Sequence, residues 1–161
     1  MNQTEYEDAL REANERADLM MMAADTDELT GLLNRRGLDR RTKGRDWGWF
    51  VSADLDGFKA AQDANPRGHA YGDSILVEFA DFLVVNTRQR ANRDRDVLSA
   101  RTGGDEFVVW TEMLTGARRI VEAIRAWSSK DGAVRVSAGM GTTIELADSS
   151  CYTIKLAKAS R

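Results

Sequence analysis

The stretch Ala100-Arg101-Thr102-Gly103-Gly104-Asp105-Glu106-Phe107-Val108-Val109-Trp110 decides how this chain folds. Alternate positions before it (Val97, Ser99, Arg101) and within or after it (Phe107, Val109, Thr111) have the two-residue period of strands. The spacing predicts a hairpin with Gly103-Gly104 as a two-residue connection. Its tip carries Asp105 and Glu106 on a backbone bare enough for close approach, which is what a divalent cation holding a polyphosphate needs. Taken alone, a solvated acidic turn accounts for the same residues, since turns favour glycine and acid side chains anyway. The flanking chain has to separate the two.

At 161 residues, 42% hydrophobic and 30% charged, the chain suits one soluble domain with a real core. A net charge of −3 supplies no basic field for a nucleic acid polymer, so a nucleotide partner is expected to be small and locally held. A single cysteine, Cys151, excludes an intramolecular disulfide and fits a reducing cytoplasm. A single histidine, His69, excludes a multi-histidine zinc site. No run is long enough for a membrane span, and the N-terminus is acidic rather than signal-like.

Residues 1–25 read as a helical stem. Tyr6, Leu10, Ala13, Ala17, Met20 and Ala24 recur every 3.5 residues on average, the period of a coiled coil pairing two copies or of a helix packed on its own domain. Residues 26–161 read as the folded domain that follows the stem. A short helix follows Gly31, and then Trp47 to Asp56 is the strongest strand signal, ending in two carboxylates. Positions i and i+2 of a strand share a face, so Asp54 and Asp56 are expected to point together. A short helix opens at Gly57, a loop holds the only proline, Pro66, and a long helix starts at Gly72-Asp73. Beyond a charged connection and the hairpin come a helix over 115–127, a strand over 134–141 and a helix over 148–161. The glycines Gly139 and Gly141 mark a close approach to neighbouring backbone. Together these give βααββαβ: an α/β (α+β sandwich) fold, palm or ferredoxin-like, with one antiparallel sheet and helices on one side.

With these residues in view the chain resembles the GGDEF family of diguanylate cyclases. Asp27-Glu28-Leu29-Thr30-Gly31-Leu32-Leu33-Asn34-Arg35 is similar to the family's D-x-L-T-G-L-x-N-R, and Asp54-Leu55-Asp56-Gly57-Phe58-Lys59 to its D-x-D-x-F-K. Gly68-His69 with Gly72-Asp73 resembles G-H-x-x-G-D, Arg101 to Phe107 is the full R-x-G-G-D-E-F, and Val136 to Gly139 is similar to V-S-x-G. The resemblance implies condensation of two GTP into cyclic di-GMP with release of pyrophosphate, across a homodimer. It implies Mg²⁺, with Mn²⁺ as a substitute, held by Asp54, the Leu55 carbonyl and Asp105. Glu106 then completes the metal shell or assists deprotonation of the 3′-hydroxyl. The physical logic agrees: phosphoryl transfer depends on positioning and charge neutralisation more than on covalent help.

By the same resemblance, backbone N–H groups of Gly57, Phe58 and Lys59 cradle phosphates, Lys158 and Arg161 pair with the triphosphate, and Asp73 reads guanine. Where the family has a guanine-contacting Asn, this chain has Gln62, one methylene longer, with Asn65 nearby as a substitute. Arg93 and Asp96 fit the family's R-x-x-D motif, at which cyclic di-GMP inhibits. Asp56 is expected to cap the following helix, and His69 to be structural. The alternative to an enzyme is a catalytically weak GTP- or cyclic di-GMP-binding regulatory module.

Overall fold

The computed structural model describes residues 3–88 and 97–160, with Arg88 by its backbone alone; Arg93, Asp96 and Arg161 lie outside the described residues. In chain order the elements are α1 (Gln3–Asp25), β1 (Leu33–Asn34), α2 (Arg35–Thr42), β2 (Trp49–Asp56), α3 (Phe58–Ala64) and α4 (His69–Arg88). They continue with β3 (Val97–Arg101), β4 (Glu106–Thr111), α5 (Leu114–Ala126), β5 (Arg135–Gly141) and α6 (Ile144–Ala159). The strands form a five-stranded sheet in the order β1-β3-β4-β2-β5.

The aromatic strand β2 is central, antiparallel to β4 on one side and β5 on the other. Its pleat sends Val51, Ala53 and Leu55 to one face and Ser52, Asp54 and Asp56 to the opposite one. On the first face lies the larger core, where Phe79 of α4 and Ile124 of α5 are fully buried with Leu55, Phe107 and Val136. Phe79 meets Phe107 and Trp127 edge-on, each with ring centroids 4.9 Å apart, a geometry that adds to the area buried. A second cluster on the other face joins Leu38 of α2 to Ala100, Val108 and Trp110, with Phe50 and Ile144 against it.

Helices therefore cover both faces, not one. The reason is visible in the strands: Phe50, Val108 and Trp110 are apolar on the face opposite Val51 and Val109, so neither face is fit for water. The sheet is also mixed rather than wholly antiparallel, because β1 pairs parallel with β3. A two-residue strand has no period to read.

The hairpin register runs from Val97 opposite Thr111 to Arg101 opposite Phe107. Its loop is four residues, Thr102 to Asp105, closed by the Thr102 N–H donating to Glu106 O at 2.9 Å, instead of a Gly-Gly connection. Neither Gly103 nor Gly104 has positive φ. Helix starts also move: α4 begins at His69 ahead of Gly72, and α6 begins at Ile144 ahead of Asp148, capped by Thr143 accepting from Leu146 N.

α6 lies so close to β5 that a Cβ on Gly139 would stand 2.1 Å from Cys151 N, and one on Gly141 2.6 Å from Ala147 N. The expected close approach is thus that of a helix. α1 is exposed along its length until Asp25, with Tyr6, Leu10 and Met20 all outward. Asp25 is buried against Arg36 and Arg40 of α2, at 3.3 and 2.9 Å, and Gly37 leaves room for it. None of the helices among the described residues is long and apolar enough to cross a membrane.

Candidate functional site

The hairpin loop is held from two directions. Arg101 donates from Nε and Nη2 to Gly104 O at 3.1 and 2.8 Å, and from Nη1 to both Asp27 oxygens at 3.3 Å. Burial works against the Asp27 charge, but bonds from Thr30 and the Arg101 guanidinium outweigh it and keep the carboxyl below its usual range. From the other side, the Leu55 N–H donates to Asp105 O at 3.2 Å and fixes the loop against the end of β2. The Asp27 motif and the arginine that precedes the two glycines are thus one clamp on the loop.

Register then assembles the carboxylates. Asp54 stands directly across from Glu106 on β4 and from Ser137 on β5, so these three side chains share a face. Glu106 folds back over Gly103, where a Cβ would come within 2.4 Å of its Oε2. Asp54 and Asp56 do point together as expected, and each receives a lysine from α6. Lys155 Nζ bonds Asp54 Oδ1, and Lys158 Nζ donates to Asp56 Oδ2 at 2.8 Å and to Val136 O at 2.7 Å.

Burial pushes the Asp54 carboxyl up despite Lys155, and the charges of Asp105 and Asp56 push the same way. Burial also works against the Lys155 charge, but the Asp54 bond and the surrounding carboxylates hold the ammonium above its ordinary pKa. At Asp54 burial thus outweighs the one ammonium. Among the described residues no three His, Cys, Asp or Glu side chains converge as a metal site by themselves. Two neighbouring carboxylates, Asp54 and Asp105, beside the Leu55 backbone are nonetheless hard oxygen donors of the kind Mg²⁺ takes, and that ion keeps several waters. The residues fit such an ion.

Asp56 does not cap α3. The cap position is Gly57 at φ 76°, without a side-chain bond. Asp56 Oδ2 instead accepts from Ser137 Oγ at 2.9 Å as well as from Lys158, and its buried Oδ1 has no hydrogen-bond partner among the described residues.

A cleft of about 370 Å³ opens on this face between α2 and α6, lined by Arg35, Ser52, Asp54, Glu106, Asp148 and Lys155. Cys151 also borders it, its thiol pushed up to about 11 by burial and the nearby Asp54 and Asp56 charges. A second cleft of about 670 Å³ adjoins it, with Asp56, Gly57, Lys155 and Lys158 in its wall. Phe58 is half-buried against the larger core and Lys59 is exposed.

The residues expected to read guanine stand apart, where α3 meets α4. Gln62 packs over Gly72, with its Nε2 3.1 Å from His69 Nδ1, and Asp73 is exposed beside it. Asn65 Oδ1 accepts from Arg67 N at 3.0 Å, so that oxygen serves its own loop. His69 is exposed at the start of α4, tied to Gln62.

No motif in the sequence singles out Lys155 of the last helix. Its spacing of three from Lys158 was the available signal, since i and i+3 share a helix face.

Compared with known proteins, the chain matches the profile of the diguanylate cyclase GGDEF domain over residues 24–161. It is 38% identical over 130 residues to the response regulator PleD of Caulobacter vibrioides, covering 74% of this chain and 26% of that protein. It is 37% identical over 133 residues to the bifunctional diguanylate cyclase/cyclic di-GMP phosphodiesterase MucR of Pseudomonas aeruginosa, covering 73% of this chain and 18% of that protein. The chain therefore spans about a quarter or less of these relatives. In fold it is similar to the coiled coil and GGDEF domain of DgcB from Caulobacter crescentus in complex with c-di-GMP. That likeness has a TM-score of 0.68 and 20% identity, over 96% of this chain and 92% of that one.

Proposed function

The chain belongs to the GGDEF family, whose relatives include diguanylate cyclases, and from that premise we propose that it condenses two GTP into cyclic di-GMP. The observation that carries this reading is the gathering of Asp54, Asp105 and Glu106 at one end of the sheet, with Lys155 on Asp54 and Lys158 on the adjoining Asp56. In each half-reaction a 3′-oxygen bonds to the α-phosphorus of the other GTP, the bond to the departing pyrophosphate breaks, and Glu106 takes the hydroxyl proton. Asp54, the Leu55 carbonyl and Asp105 would hold Mg²⁺, or Mn²⁺, and Glu106 would complete the shell as the alternative to acting on the proton. When bound, the ion neutralises charge that develops on the transferring phosphoryl group.

The chain's own groups orient the substrate. Backbone N–H groups of Gly57, Phe58 and Lys59 cradle the phosphates, and Lys158 exchanges Asp56 for the triphosphate, with Arg161 beside it. Asp73 accepts from guanine N1–H and the 2-amino group, which adenine cannot satisfy, and Gln62 or Asn65 supports it. Residues 1–25 act as the stem that pairs two cytoplasmic copies, each presenting one GTP, and 26–161 as the catalytic domain. The outward Tyr6, Leu10 and Met20 of α1 support the stem's part in that assignment. Arg93 and Asp96 bind product and slow turnover.

A second reading, a regulatory module that binds GTP or cyclic di-GMP without turnover, draws support from Lys155 seated on Asp54 and from Gln62 engaged with His69. One experiment separates them: incubation with GTP and Mg²⁺, with and without ATP, and identification of products by chromatography and mass. Cyclic di-GMP that disappears in Asp105→Ala supports the cyclase. Tight GTP binding with no product overturns it in favour of the module.

A further inference from the structure

We propose that Arg135 and Arg125 form a polyphosphate subsite in the cleft beside Lys158, a role no motif in the chain assigns to them. The inference rests on the nucleotide-binding reading above and names the groups that take the far end of the triphosphate, or free pyrophosphate. The cleft of about 670 Å³ lies where the start of β5, the last turn of α5 and the end of α6 meet the β2–α3 junction. Its wall carries four cationic side chains, Arg125, Arg135, Lys155 and Lys158, against one carboxylate, Asp56. That excess is notable in a chain whose net charge is −3.

The two lysines are locally neutralised, Lys155 by Asp54 and Lys158 by Asp56. The two arginines are not. Arg125 Nε donates to Ala138 O at 2.9 Å, which anchors the side chain, and no acid is paired with it among the described residues. Arg135 stands directly across from Asp56 in the strand register, yet Asp56 Oδ2 is taken by Ser137 and Lys158. Arg135 also has no paired acid among the described residues. Like charges gathered in one cleft repel, and an anion relieves the repulsion. Guanidinium forks match phosphate oxygens in pairs, whereas lysines contribute as point charges.

The floor admits such a ligand. Gly57 borders the cleft at φ 76°, and none of the described residues lies within 4 Å of where its Cβ would be. A phosphate can therefore approach the backbone next to Asp56 and within reach of both arginines' cleft. β5 and α5 in this way each supply a guanidinium fork to the cleft.

Titration calorimetry with a non-hydrolysable GTP analogue, GMP and pyrophosphate tests the subsite, with circular dichroism melts confirming the fold of each variant. Arg135→Ala is expected to weaken the GTP analogue and pyrophosphate by about tenfold while leaving GMP unchanged, the loss of one charge-assisted contact. Arg135→Lys should recover part of it. Wild-type affinity for both polyphosphates in Arg135→Ala and Arg125→Ala overturns the subsite, even where GTP binds tightly. Arginine-dependent pyrophosphate binding without guanine preference keeps the subsite and sinks the cyclase reading instead.

Discussion

Replacing Gly139 with alanine puts a methyl group where α6 rests on β5. The new Cβ would meet Cys151 N at 2.1 Å and Ser150 C at 2.5 Å, backbone atoms that no rotamer change can remove. Ordinary contact begins at 3.4 Å, so α6 must retreat by 3.4 minus 2.1, about 1.3 Å. That retreat stretches the Lys158 bonds, now 2.8 Å to Asp56 and 2.7 Å to Val136 O, beyond hydrogen-bonding range. Overpacking costs about 1–3 kcal/mol, and the broken charge-assisted contacts, partly exposed, add less than they would if buried. A total of about 3 kcal/mol corresponds to a fall in Tm of about 6–12 °C for a chain of this size. Thermal unfolding followed by circular dichroism measures it, with Gly104→Ala as the control. Gly104 has open space at its Cβ position and no positive φ, and should melt like the wild type. A Gly139→Ala protein melting within about 2 °C of wild type would refute the claim that backbone contact seats this helix.

Lys155→Met removes the ammonium from Asp54, and the nucleotide-free protein should bind Mn²⁺ about fivefold more tightly, as read by electron paramagnetic resonance; unchanged affinity means the lysine does not compete for that carboxylate. Cys151 is buried with its thiol raised to about 11, so the native protein should resist Ellman's reagent near pH 8 and react fully once unfolded in guanidinium. Asp131 is held down to about 2 by bonds from Ser129, Tyr71 and the Ala133 N–H. A depressed carboxyl contributes its stability above the unfolded value of 3.8 and loses it as pH falls toward 2, so wild-type urea midpoints should drop across that interval. Asp131→Asn should drop less there, and parallel pH curves for the two proteins would remove Asp131 from the account.

Much of the positioning was legible because it is local. The alternation through Trp49–Asp56 and the carboxylates two apart follow from the geometry of a strand, so a shared face for Asp54 and Asp56 needed no tertiary information. The glycines of β5 likewise announced that something bare must pass close. The partner could not be named, because contact between residues 139 and 151 depends on where a helix returns in space.

The same limit explains the errors. The two-residue β1 has no period, and its parallel pairing is decided by β3, more than sixty residues away. Helices on both faces follow from Phe50, Val108 and Trp110 becoming coplanar only when β2 and β4 pair. Asp56 looked like a cap because it precedes a helix, but Ser137 and Lys158 reach it from elements folded back much later in the chain. By itself, then, the sequence determined the four longer strands, the acidic hairpin tip and the family resemblance, since these rest on short-range pattern. Only the tertiary structure decided which cations face those carboxylates. Charge pairing depends on through-space distance, and the sheet register together with the seat of α6 on Gly139 sets that distance for Lys155 and Lys158.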